Sequence, residues 1–189
     1  MQAHVRRMDE RLKLMQRAAL PDALRALLQD YPREAWEAHP HFAGLVAFWL
    51  ERHMMFRKLL DMLEQDAQSA VDKVLDPRQH QARIARFGGM LVNQLHGHHQ
   101  IEDHHYFPVL SGLEPRLARG FEILDSDHHD LDGLLARFTD AANATLQGGE
   151  PGAFLTEVEA FAPFLSRHLE DEEDLIVPVI LRHGPGGLH

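Results

Sequence analysis

Two segments of the chain, HHQIEDHHYFPVL at 98–110 and HLEDEEDLIVPVI at 168–180, align without a gap at an offset of 70 residues. They share His at the first position, Glu at the fifth, an acid at the sixth, Pro at the eleventh, Val at the twelfth and Leu or Ile at the thirteenth. Apolar residues around both recur every three or four positions, the period of an α-helix with one buried face. The helical stretches before them match more faintly: His53 is followed by Phe56, Leu59, Leu60 and Leu63, and His128 by Leu131, Leu134, Leu135 and Phe138. A chain built this way is two copies of a helical hairpin, each offering one His and then His-x-x-x-Glu.

Helix breakers fall at few places. Asp76-Pro77 supplies an N-cap followed by the residue best suited to a first helical position. Ser111-Gly112 with Glu114-Pro115, Gly148-Gly149 with Pro151, and His183-Gly184-Pro185 mark the remaining breaks. Four long helices are predicted, over about 42–74, 77–108, 114–147 and 152–183, with no alternating strand pattern between them. Short connections favour antiparallel neighbours, so the expected fold is all-α, an up-down-up-down four-helix bundle over 41–184. Pro163 is expected to kink the fourth helix or mark a late start. Residues 1–40 read as an N-terminal helical extension. Val5, Met8, Leu12 and Met15 form one stripe of a helix ending near Leu20-Pro21, and a second short helix covers Asp22 to Asp30. The stripe either folds back onto the bundle or docks a partner, such as a second copy of the chain making a homodimer.

Composition removes several classes of function. With 189 residues and no cysteine, one ordinary domain is expected, and disulfide frameworks, iron–sulfur clusters and cysteine nucleophiles are excluded. Lys and Arg number 19 against 29 Asp and Glu, the wrong balance for a nucleic-acid partner. No window approaches the roughly 18 apolar residues of a membrane span, so no membrane partner is expected, and the N-terminus lacks a signal-peptide pattern. A cytoplasmic location follows as the expectation. The unusual count is 15 His.

Residues four apart on a helix point the same way, so His98 with Glu102, and His168 with Glu172, can each address one site. Neutral imidazole and carboxylate suit iron, manganese or zinc. The candidate ligands also lie at one height. His53 is 22 residues before Leu75 and His98 is 22 after Asp76, while His128 and His168 lie 20 and 19 residues from the Gly148-Gly149 turn. With a rise of about 1.5 Å per residue, all six meet within one helical turn. The repeat selects His98 over His99, whose counterpart is Leu169, and the apolar period selects His128 over His129. His99 and His129 are expected to face outward. Of the acidic run Glu170 to Asp174, all but Glu172 are expected to form a solvated face. Trp49 and Tyr106, one turn from His53 and Glu102, either pack in the core or line a small-ligand pocket. A ferritin-like centre needs Glu-x-x-His twice, and only Glu102 with His105 fits; the zinc-protease string His-Glu-x-x-His is absent. A histidine-ligated haem would leave both repeated glutamates unexplained.

Over residues 42–183 these motifs resemble the hemerythrin family, specifically the bacterial hemerythrin-like domains that read His, His-x-x-x-Glu, His, His-x-x-x-Glu. The resemblance implies two iron ions with an oxo or hydroxo bridge, manganese and zinc being the alternatives. It assigns His53 and His98 to one iron, His128 and His168 to the other, and Glu102 and Glu172 as bridges. Where the invertebrate oxygen carriers have a further His, this chain has Leu124, and their final carboxylate is Asp one residue beyond the position of Glu172. Fewer protein ligands suit access by a diatomic molecule or peroxide, so binding or sensing of oxygen, peroxide or nitric oxide is implied. The alternatives are a di-iron oxidoreductase acting on peroxide or a small substrate, and a metal-stabilised interaction module. His105, seven residues after His98, is a secondary candidate for a ligand or a supporting hydrogen bond.

Overall fold

The Asp76 carboxylate accepts hydrogen bonds from the backbone N–H groups of Arg78 (2.9 Å) and Gln79 (3.1 Å), and Pro77 begins the helix behind it. At the other predicted hairpin turn, Gly148 takes φ +92° and Gly149 N–H donates to the Ala144 carbonyl at 2.9 Å. The left-handed backbone at Gly148 costs a glycine little, and a Cβ on Gly149 would lie 2.8 Å from the Ala144 oxygen, so this glycine pair stops the helix sharply. These turns belong to a computed structural model, which describes residues 10–188.

The described residues are all-α, with no strand among them, as the helical period predicts. The helices are α1 (Ala47–Val71), α2 (Pro77–Arg83), α3 (Gly89–Ile101), α4 (Phe107–Leu113), α5 (Ala118–Leu146) and α6 (Pro151–His183). Single π-helical turns follow α2 at Ile84–Gly88 and α3 at Glu102–Tyr106, each leading directly into the next helix. The expected start at Phe42 is instead a turn in which Gly44 adopts φ +86°, and the regular helix begins at Ala47. The helix expected to end at 108 runs on through Ser111-Gly112 to Leu113, and the break falls at the Glu114-Pro115 part of the predicted site. Pro163 does not delay α6, which runs from Pro151.

The chain divides into two compact units. The first takes residues up to Arg52, Gln100–His129 and the chain from Arg167 onward. In its core, Leu20, Leu27 and Trp36 of the N-terminal segment pack with Trp49, Phe107, Phe121, Ile176 and Ile180. The second unit takes His53–His99 and Asp130–Ser166. There Phe138 packs against Phe154 and Phe161, at ring separations of 5.2 and 6.0 Å, and Phe56, Leu63, Leu91 and Leu95 are fully buried.

The N-terminal segment departs from its sequence pattern. Val5 and Met8 lie outside the described residues. Helix stops at Leu12 instead of reaching Leu20, Leu12 packs on the core and Met15 is exposed. The helix expected over 22–30 is one 3₁₀ turn at Ala26–Gln29, followed by another at Arg33–Ala35. Tertiary burial of Leu20, Leu27 and Trp36 overrides helical propensity here.

Candidate metal centre

In the first unit, α5 carries His128, α6 carries His168 and Glu172 one turn apart, and the π-turn after α3 carries Glu102. The Nε2 atoms of His128 and His168 lie 3.1 Å apart. Behind each ring stands a carboxylate: Asp103 Oδ1 is 2.6 Å from His128 Nδ1, and Asp127 Oδ2 is 3.3 Å from His168 Nδ1. An ionised carboxylate only accepts, so it favours the proton on the Nδ1 that faces it, and the tautomer this favours leaves an Nε2 lone pair able to bind a cation. On that inner side, Glu102 Oε2 lies 3.8 Å from His128 Nε2, and Glu172 Oε2 lies 3.7 Å from His168 Nε2.

Both glutamates are completely buried. Trp49 Nε1 donates to Glu102 Oε1 at 2.9 Å, and the Glu172 carboxyl lies close enough to Glu102 for the two to influence each other's ionisation. Burial pushes both well above the usual carboxylate range, and for Glu172 the neighbouring Glu102 charge pushes further. Such a pair holds a proton when nothing else compensates its charge. A divalent cation compensates it better, because it replaces that proton and satisfies the facing imidazoles together. The donor set therefore fits a metal of the borderline-to-hard class.

In the second unit, α1 carries His53 and α3 carries His98, both buried, with Nε2 atoms 3.0 Å apart and rings at right angles. Phe56 covers the His98 ring at 5.3 Å. Glu102, four residues after His98 in the sequence, belongs to the first unit.

Two expectations about the surroundings are overturned. His99 does not face outward; it is buried. The reason lies in the repeat, since its counterpart Leu169 is a fully buried core position. His129 is exposed, its Nδ1 3.1 Å from the Asp125 carbonyl oxygen. Nor is the acidic run a solvated face: Asp171, Glu173 and Asp174 are buried beside Glu172, and only Glu170 is exposed. Arginines of the N-terminal segment cover them. Arg33 reaches Glu173 (2.9 Å) and Asp174 (2.8 Å), Arg25 approaches Asp174 (3.5 Å), and Arg17 holds Asp171 (2.9 Å).

Trp49 is a core residue and a hydrogen-bond donor to the site at once, its ring edge-on to Tyr106 at 5.6 Å. His105 is half-buried with its ring 5.5 Å from that of Tyr106. Sequence reasoning missed Asp103 and Asp127, although each directly adjoins a candidate ligand. Arg17, more than a hundred residues from Asp127, gave no local signal.

The hemerythrin HHE cation-binding domain matches residues 44–180, a span that contains all six candidate ligands. No curated protein and no solved structure matches the chain.

Proposed function

Because the chain belongs to the hemerythrin HHE cation-binding domain family, we propose that it is a non-haem di-iron protein that binds or senses oxygen, peroxide or nitric oxide. Metal binding itself follows from that membership and from the His/Glu clusters. In the finer reading, His53 and His98 would hold one iron, His128 and His168 would hold the other, and Glu102 and Glu172 would supply the carboxylate ligands. Manganese and zinc are the alternatives the same donors would accept. The observation that carries the reading is the pair His128 and His168, each held from behind by a carboxylate with its Nε2 facing a fully buried glutamate.

When bound, a pair of irons supplies a redox-active centre to which a small molecule can add. The chain does the rest. Asp103 and Asp127 fix the histidine tautomers, Trp49 orients Glu102, and Phe56 with Phe107 shields the rings from water; Phe107 stacks on His128 at 5.5 Å. Leu124, fully buried, offers no ligand atom where a further histidine would saturate the centre.

The test is anaerobic loading with ferrous iron, followed by oxygen, peroxide and nitric oxide in separate samples. A visible absorption band that forms on adding oxygen or nitric oxide and fades on removing it supports the reading. Steady turnover of peroxide would point to the oxidoreductase instead, and no spectral response to any of the three would contradict both.

A further inference from the structure

Arg17 links the N-terminal segment to the His128–His168 pair. Arg17 is 3% exposed at its side chain, as buried as a core residue. Its Nη1 donates to Asp127 Oδ1 at 2.8 Å and to the Leu12 carbonyl at 2.7 Å, its Nη2 donates to Asp127 Oδ2, and its Nε donates to Asp171 Oδ2 at 2.9 Å. Asp171 in turn accepts the Leu20 backbone N–H at 3.0 Å, pinning the segment on both sides of Arg17. The oxygen of Asp127 that takes Nη2 is the same one that faces His168 Nδ1 at 3.3 Å.

A two-pronged guanidinium fork fixes the plane of the carboxylate it holds. A carboxylate whose plane is fixed fixes in turn the ring that donates to it. Burying an arginine and two aspartates is a poor way to gain stability alone, since apolar residues of equal volume do as well or better. Arg17 itself precedes the residues that match the family, which begin at 44, whereas Asp127, His168 and Asp171 lie within them. We infer that Arg17 is a positioning residue for His168: through Asp127 it locks the imidazole in the Nδ1–H tautomer, so that the N-terminal segment completes the cation site. His128 is held independently by Asp103, so the effect is specific to one ring. The purpose of the lock rests on the metal-binding reading; its existence does not.

The experiment uses the full chain with ¹⁵N-labelled histidine. In the metal-free protein at pH 8, the ring-nitrogen shifts should place His168 in the Nδ1–H tautomer. In Arg17→Gln, and in Asp127→Asn should Arg17→Gln fold poorly, His168 should move to a mixture of tautomers while His128 keeps its own. Arg33→Gln cuts a comparable ion pair on α6 and should leave both rings unmoved. With the zinc-loaded protein, Arg17→Gln should lose one metal equivalent to excess chelator about tenfold faster, the usual effect of removing a ligand's supporting group. An unchanged His168 tautomer in both variants, or an equal response to Arg33→Gln, overturns the inference. A wild-type protein that shows the locked tautomer yet takes up no metal supports the positioning role and refutes the proposed function.

Discussion

A carboxylate sealed from water demands compensation, and Glu102 receives part of it from the Trp49 indole. Trp49→Phe keeps most of the ring but removes that donor from a fully buried acid, which should cost the metal-free protein about 2 kcal/mol. A urea unfolding midpoint that stays at the wild-type value would show that the hydrogen bond contributes nothing. His80 gives a second test at this scale. Burial lowers its pKa, partly offset by Asp66, so the folded imidazole resists a proton that the unfolded chain accepts at about 6.5. Stability from this group is therefore present above the unfolded value and is lost as pH falls below it. Thermal melts of His80→Phe and wild type should diverge in the variant's favour between pH 7.5 and pH 5; a constant difference would contradict this. His98, Glu102, His168 and Glu172 could be read from the repeat because they recur at an offset of 70 residues, and His53 and His128 from their apolar stripes and their height on the preceding helices. Asp103 and Asp127 could not, since an acid beside a histidine is common and only the fold shows which ring it faces.

Helix ends were legible where a side chain or glycine dictates them. Asp76 caps by accepting two backbone N–H groups, and Asp76→Ala should cost about 1 kcal/mol in a chemical melt. Gly149→Ala should cost more, because its Cβ would meet the Ala144 carbonyl oxygen, which no side-chain rotation can relieve. Equal midpoints for the two variants would show that the turn relaxes easily. The π-turns were not legible. Residues 98–110 and 168–180 align without a gap, yet the first copy carries a π-turn at Glu102–Tyr106 while α6 runs through the second as regular helix. A hydrophobic period averages over such a turn, and π-turns gather at functional sites, here at the glutamate itself.

At the scale of the whole chain, the acidic run explains what residues 10–41 do in the first unit. Arg17, Arg25 and Arg33 neutralise buried acids on α6, and Leu20, Leu27 and Trp36 fill the core beside them. Those three apolar side chains alone represent about 5 kcal/mol or more of burial, comparable with the net stability of a domain. Deleting residues 1–41 should thus yield a chain that aggregates or lacks a cooperative melt, and a truncated chain melting like the full one would contradict this. Sequence pattern could not reveal the arrangement, because pairs such as Arg17 with Asp171 join residues 154 positions apart and carry no period. The central claim is the cation centre itself, and counting its metal tests that most directly. After anaerobic reconstitution with ferrous iron and removal of the excess, elemental analysis should find two irons per wild-type chain and at most one in His98→Ala or His168→Ala. No retained iron in the wild type, or the same count in all three proteins, would contradict the account.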